Sequence, residues 1–525
     1  MRQISFAIRC SLLTAFVAPS AFATDWLQFG YDQAHSGFNP AEISYPVAAQ
    51  TTPEWSVTIH AFGDSTALRA DMAPVFLSGV VTSGGTKDLL YLVTANGTLV
   101  AVDAATGAVV WSHQPSSAIT REGTSGSAAI DPNRQFVYAY ALDGKVYKYP
   151  VAGTNPVSGN GWPEVSTVKP DAEKGAAALA FSTPPGGTNY LYHVTNGYDG
   201  DGGDYQGHIT AINLSTGAQH VFNVMCSNLL DMHFFNNGTP KTNDCNLTHS
   251  LGYGDGQMGG IWGRAGTTYD AATNRIYFAS GNGLFDANMS GDFEWGDSVL
   301  SLHPDGTGSG GGFPVDSYTP SQYAALYNAD TDLGSTGPAI LPSTSASFPH
   351  LAIQSGKDSC VRLINLDDMS GMGGPGNSGG ELNQATSCST DALGAHVVFP
   401  QPAVWVNPAD HSTWVYVVNH SDMLQAYQLN VTGTPSLTKK WSAAAGRSPV
   451  IANHTLYYVS GNAIVGLDTL TGTQTWSASL GGGIHWQSPI VVNHHLYIAD
   501  GTQNGNYVGK LWSFALDGIF RGKFD

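Results

Sequence analysis

The sequence predicts an all-β fold, an eight-bladed β-propeller. Three observations predict it. A strand–turn–strand unit recurs eight times along the chain. Its apolar residues alternate with period two, which is the pattern of half-buried strands. The composition suits many short strands joined by tight turns, with 63 glycines and only 12% charged residues. At 42% hydrophobic residues the chain is too apolar to be disordered.

The clearest unit is "LLYLVTANGTLVAVDAATGAVVW" at 89–111. An alternating strand comes first, then a turn at Asn96-Gly97, then a second strand. Asp-x-x-Thr-Gly follows, and a Trp stands four residues after that glycine. "LYYVSGNAIVGLDTLTGTQTW" at 456–476 repeats the design: Asp468, Gly472 and Trp476 match Asp103, Gly107 and Trp111. Weaker copies lie at 137–154, 191–217, 276–306, 351–371, 415–433 and 496–518. A bare four-stranded blade needs ~40–45 residues. The units are longer than that, and the excess is loop insertion, largest between 218 and 268. A repeated strand unit must stack or close, and closure removes the exposed sheet edges. "PEWSVTI" at 53–59 has the look of a Trp-bearing last strand without its beginning. It is expected to complete the blade containing 496–518.

Residues 1–23 read as an export signal. Arg2 and Arg9 precede an apolar run, and Ala21-Phe22-Ala23 is a small-x-small cleavage site. The propeller is assigned to 24–525, in the periplasm or outside the cell. No later segment is long and apolar enough to span a bilayer. The net charge of −19 disfavours a nucleic-acid partner, because phosphate contacts need a basic surface. Four cysteines follow the signal. In an exported chain they read as two disulfides, and the sequence-local pairing Cys226–Cys245 with Cys360–Cys388 is favoured. No Cys-x-x-Cys-His occurs, so no covalent haem is expected.

The Asp-x-x-Thr-Gly-x-x-x-Trp unit resembles the repeat of the pyrroloquinoline quinone (PQQ) propellers. That superfamily contains quinoprotein alcohol dehydrogenases and non-catalytic scaffolds, and the resemblance covers nearly all of 24–525. It implies where a site would lie. "GGIWGRAGTTYDAATNRIYFASGNG" at 259–283 is similar to the stretch in which a Trp lies flat under the quinone and an Asn ligates Ca²⁺. Trp262 and Asn282 hold those positions. An aromatic face suits a planar cofactor, and calcium prefers hard oxygen ligands. The family's carboxylate ligand has no Glu counterpart before "GHITAIN" at 207–213, so Asp201 or Asp204 is its substitute. Asp332, or its neighbour Asp330, takes the place of the catalytic base. Lys357 takes that of the cation facing the quinone oxygens, with Asp332 and Lys357 expected at opposite edges of the cofactor. Arg121 matches a carboxylate-binding Arg. The family's adjacent-Cys ring is missing, which leaves His485-Trp486, and Trp486 above all, to cover the upper face.

These expectations amount to a PQQ- and Ca²⁺-dependent dehydrogenase acting on a small alcohol or polyol, with a separate electron acceptor, either a protein or a quinone. The missing Glu and Cys-Cys favour the alternative, a non-catalytic extracytoplasmic binding or assembly scaffold. A carbohydrate-active or adhesin-like protein is supported by composition alone.

Overall fold

The computed structural model describes residues 24–48, 50–58, 73–115, 126–153, 155–198, 204–234, 258–287, 293–386, 388, 398–419, 423–482, 487–501 and 509–516. Among the described residues eight sheets follow one another along the chain, each with four antiparallel strands, and the seventh gains a fifth, parallel strand from Phe38–Asn39. We number them blades 1 to 8. They span 75–113, 129–165, 180–223, 268–318, 339–384, 403–444, 450–479 and 490–515, and each contains one of the repeats read from the sequence. The first strands of successive blades adjoin one another and form the inner wall of a ring. Blade 8 takes its outermost strand from the beginning of the chain. Trp55–Thr58 pairs antiparallel with Lys510–Ala515, Trp55 opposite Ser513. One apolar cluster joins blades 7, 8 and 1, with Val450, Tyr497 and Phe76 among its members. The ring is therefore closed by Trp55–Thr58, within the segment whose sequence suggested it.

The repeat motif has a local explanation. The Asp468 carboxylate accepts the Leu470 and Thr471 amides at 3.1 and 2.8 Å, and the Gly472 amide donates to the Asp468 carbonyl at 2.9 Å. Gly472 sits at φ +71°, where only glycine is unstrained. A Cβ there would also lie 2.6 Å from the ring of Trp441, on the outer strand of the preceding blade. The Trp441 indole donates to the Thr469 carbonyl at 3.0 Å. Across the closure the arrangement recurs. Trp55 of blade 8 covers Gly107 of blade 1 and donates to the Ala104 carbonyl at 3.1 Å. The Asp and Gly shape a turn, and the tryptophan of the neighbouring blade lies on it.

The segment before the first blade was not anticipated. Residues 26–39 run across the inner strands and bond to nearly every blade. The Phe76 amide of blade 1 donates to the Trp26 carbonyl at 2.8 Å, and the Ile130 amide of blade 2 to Leu27 at 2.7 Å. In blade 3 the Phe181 amide donates to the Gln28 side chain at 2.9 Å. The Tyr269, Val404 and Ile451 amides of blades 4, 6 and 7 donate to the carbonyls of Gln33, Ser36 and Gly37. The Asn39 side chain donates to the Val491 carbonyl of blade 8 at 2.9 Å. Trp26 and Phe29 are buried along this path.

Cys360 and Cys388 are disulfide-bonded. Cys226 is also disulfide-bonded. Its expected partner Cys245 lies outside the described residues, as do the signal segment 1–23, Arg121, Asp201, His485 and Trp486.

Candidate functional site

Three consecutive blades build one cavity, each contributing at two equivalent places. The first place is the loop that enters the inner strand, six or seven residues before it. Lys174, Trp262 and Asp332 occupy it ahead of Ala180–Ser182, Thr268–Asp270 and Ala339–Pro342. The second place lies just past the end of the next strand. Asn196, Asn282 and Lys357 occupy it after Tyr190–Val194, Arg275–Ala279 and His350–Ser355. All six line a cavity of about 250 Å³, together with Asp330, Tyr198 and Tyr205. Trp262, Asn282, Asp330, Asp332 and Lys357, chosen from the sequence, are thus neighbours. Lys174 and Asn196 were missed. Equivalence to Asn282 and Lys357, just beyond an alternating strand, was the signal that could have found Asn196.

Glycines allow the close approach. A Cβ on Gly281 would stand 2.9 Å from the Trp262 indole nitrogen and 3.1 Å from the Asp332 carboxylate. The "SGNG" run is therefore tight because its backbone is wedged between those two side chains. The Asp332 carboxylate is engaged on both oxygens. It accepts the Asn282 amide at 2.6 Å on one, and Lys357 Nζ stands 2.6 Å from the other. Lys357 also donates to the Asp330 carboxylate at 2.7 Å. Its ammonium lies 5.5 Å from the centroid of the Trp262 ring, within cation–π range. Burial alone would lower the lysine's pKa. Asp332 and Asp330 outweigh burial and raise it, so the ammonium stays charged. Asp330 is about half exposed and Asp332 is buried.

Behind this pair lies Asp297. Its carboxyl is pushed well up, first by burial and then by the charge of Asp332. It accepts the Leu333 amide at 3.0 Å, and its other oxygen has no partner among the described residues. Asp297 thus holds the loop that carries Asp332. On the blade 3 side, Glu173–Lys174 pairs with Asn196–Gly197. Alternation along that pair sends Glu173 inward to buried Lys169 and sends Lys174 into the cavity, 5.1 Å from the Tyr198 ring. The Asn196 side-chain nitrogen donates to the Gly197 carbonyl at 2.9 Å. Its buried amide oxygen accepts from nothing among the described residues.

Two expectations need correction. Asp204 does not join the cavity. Its carboxylate lies 3.4 Å from Lys169, a fully buried cation whose ammonium also meets Glu173 and Gln206. A buried ammonium needs a compensating charge, and Asp204 supplies part of it. Nor do Asp332 and Lys357 stand at opposite edges: they form one ion pair. One other grouping resembles a metal site, Asp358 with Cys360 and Cys388. It is structural, since the sulfurs are bonded to each other and Asp358 is paired with buried Arg362.

The profile of the family described as "Outer membrane protein assembly factor BamB" matches residues 48–160 and 377–509. Every cavity residue falls in the unmatched stretch between them. No curated protein matches the chain. Among solved structures, a quinohemoprotein alcohol dehydrogenase from Pseudomonas putida HK5 is similar at 13% identity, with a TM-score of 0.62 over 94% of this chain and 80% of that one. The corresponding enzyme from Comamonas testosteroni is 15% identical, with a TM-score of 0.63 over 94% and 80%. A europium-containing methanol dehydrogenase is 14% identical, with a TM-score of 0.63 over 94% and 98%.

Proposed function

We propose that the chain is a PQQ-repeat β-propeller and acts as an exported quinoprotein-type dehydrogenase. It oxidises a small alcohol or polyol, with PQQ and a calcium ion in the blade 3–5 cavity and a separate electron acceptor. The observation that carries this reading is the union of an indole face, a charged lysine beside it and a doubly held aspartate in one cavity. The residues fit a planar anion. Trp262 offers a flat apolar surface, and Lys357 and Lys174 offer two cations for acidic groups. They also offer oxygen donors to a hard cation. The Asn196 side-chain oxygen, which accepts from no donor among the described residues, and the Asn282 side chain line the same space.

Bound PQQ would supply the two-electron acceptor that takes hydride from the alcohol carbon. The remaining work belongs to the chain. The Asn282 amide and the Lys357 ammonium keep Asp332 oriented. Lys357 stays a cation there, so the carboxylate opposite it is held as the base that accepts the hydroxyl proton. Asp330, on the exposed side, holds Lys357 and does not compete for that role. Lys357 also stabilises negative charge developing near the indole face.

Purified protein titrated with PQQ and Ca²⁺, read by tryptophan fluorescence and then by dye-linked alcohol oxidation, tests the reading. Trp262→Ala is expected to weaken PQQ binding at least tenfold. Asp332→Asn is expected to keep binding within a few-fold and to lower turnover at least about 100-fold, the usual scale for a lost general base. If PQQ does not bind at all, the dehydrogenase reading falls. The extracytoplasmic scaffold, which the family match at 48–160 and 377–509 favours, then takes its place.

A further inference from the structure

The inner strand of each blade turns one backbone edge toward the axis, and residues 26–39 meet that edge in seven blades. Blade 5 is the exception. Ile340 holds the position of Tyr269 in blade 4, Val404 in blade 6 and Ile451 in blade 7. It lies three residues past Gly337, as Tyr269 lies three past Gly266. Its ladder partner is Ala352, as theirs are Ile276, Val415 and Leu456. Its side-chain direction agrees. Ala339 and Leu341 pack toward blade 6 with Val404 and Val415, and Ile340 packs toward blade 4 with Tyr277. The Ile340 N–H and C=O therefore face the axis, yet among the described residues nothing bonds to them.

The reason lies in the segment itself. Between its bonds to blade 4 through Gln33 and to blade 6 through Ser36, it makes a turn over 32–35. The His35 amide donates to the Asp32 carbonyl at 3.0 Å, and the Asp32 carboxylate accepts the Ser36 amide and hydroxyl at 2.9 and 2.6 Å. His35 is drawn off toward blade 4, where its ring meets the Thr267 carbonyl at 2.9 Å. The turn leaves a cavity of about 470 Å³ over blade 5. Phe38, Ile340, Val404 and Val406 line it with apolar surface, and Asp32 and Asp270 stand at its border. It lies at the far ends of the inner strands, whereas the indole cavity lies where those strands begin.

We propose that this notch binds a short extended stretch of a partner polypeptide carrying apolar and basic side chains. An unpaired strand edge recognises a peptide backbone through paired N–H and C=O bonds, with alternate side chains entering pockets. The neighbouring blades show the geometry, because there the chain's own backbone occupies the same place. Charge selects the occupant: both bordering side chains that ionise are acidic, and the chain carries −19 overall. The proposal is independent of the cofactor reading.

The test uses the full-length protein and a blocked five-residue peptide alternating lysine and valine. Hydrogen exchange of the 338–342 segment is followed by mass spectrometry and affinity by calorimetry. The peptide is expected to slow exchange of the Ile340 amide at least tenfold. Methylating its alternate backbone nitrogens, or replacing its lysines with glutamate, is expected to weaken binding at least tenfold. Val406→Lys should weaken it comparably while leaving the melting temperature unchanged. Unchanged exchange at millimolar peptide overturns the proposal. So does equal binding of the methylated peptide, and so does equal protection by an uncharged detergent monomer, which would make the notch a simple apolar pocket.

Discussion

His193 shows what burial does to a single titratable side chain here. Its ring stacks on Tyr140 at 4.3 Å and one nitrogen meets the Ser166 hydroxyl. Burial first, then the nearby His208 and His233, lower its pKa from 6.5 to about 3. His233 is lowered to about 3 by burial and then by His208. The sign follows from proton counting. Below about 6.5 the unfolded chain binds protons that the folded chain refuses, so stability falls as pH drops from about 6.5 toward 3. Each group contributes up to about 1.4 kcal/mol per pH unit to that slope. Urea unfolding between pH 7 and 4 should show the decline, and His233→Gln should remove about one group's share. A slope unchanged by that substitution would mean the ring is not the proton site. At this same scale, the site was partly legible. Trp262, Asn282, Asp332 and Lys357 stand out because their stretches resemble those that hold the site in the PQQ propellers. Lys174 and Asn196 did not, because acidic, glycine-rich residues around 199–204 drew attention to carboxylates. Asp204 is one of those, and it serves a buried lysine instead.

The element scale is where the sequence reads most fully. Period-two alternation and the Asp-x-x-Thr-Gly turn are dictated by backbone geometry, so all eight blades could be counted from them. The partnership of the Gly107 and Gly472 turns with the preceding blade's tryptophan could not be counted, because it joins residues from different repeats. Gly472 tests that partnership. Gly472→Ala places a Cβ in left-handed backbone and 2.6 Å from Trp441. The backbone costs about 1–2 kcal/mol, and displacing the indole adds about 1–3 kcal/mol. Guanidinium unfolding should show a loss of about 2–5 kcal/mol. Trp441→Ala combined with it should cost less than the two changes added, since the clash disappears with the ring.

For the whole molecule, closure depends on two stretches near the start of the chain. Trp55–Thr58 completes blade 8, and its tryptophan announced it. The 26–39 segment gave no such notice, because it acts mainly through main-chain carbonyls that leave no mark in the order of side chains. Its weight can be approximated. Six inner-strand amides at about 1 kcal/mol each, with Trp26 and Phe29 buried at about 2–3 kcal/mol each, amount to roughly 10 kcal/mol. In a chain this long, 1 kcal/mol shifts the melting temperature by only about 1 °C. Deleting 24–39 should therefore lower it by about 10 °C in calorimetry, with a single broadened transition. An unchanged midpoint would show that the segment merely rests against the ring.

That segment also imposes an order in time. A ribosome makes residues 26–39 more than 400 residues before the strands around 450 and 491, which they must meet. No half-finished chain can hold them in their final place, so the early residues stay unstitched until synthesis is nearly complete. Contacts spanning more than 400 residues are slow to find, because the loop must close before any bond rewards it. Residues 26–39 are consequently made early and set late.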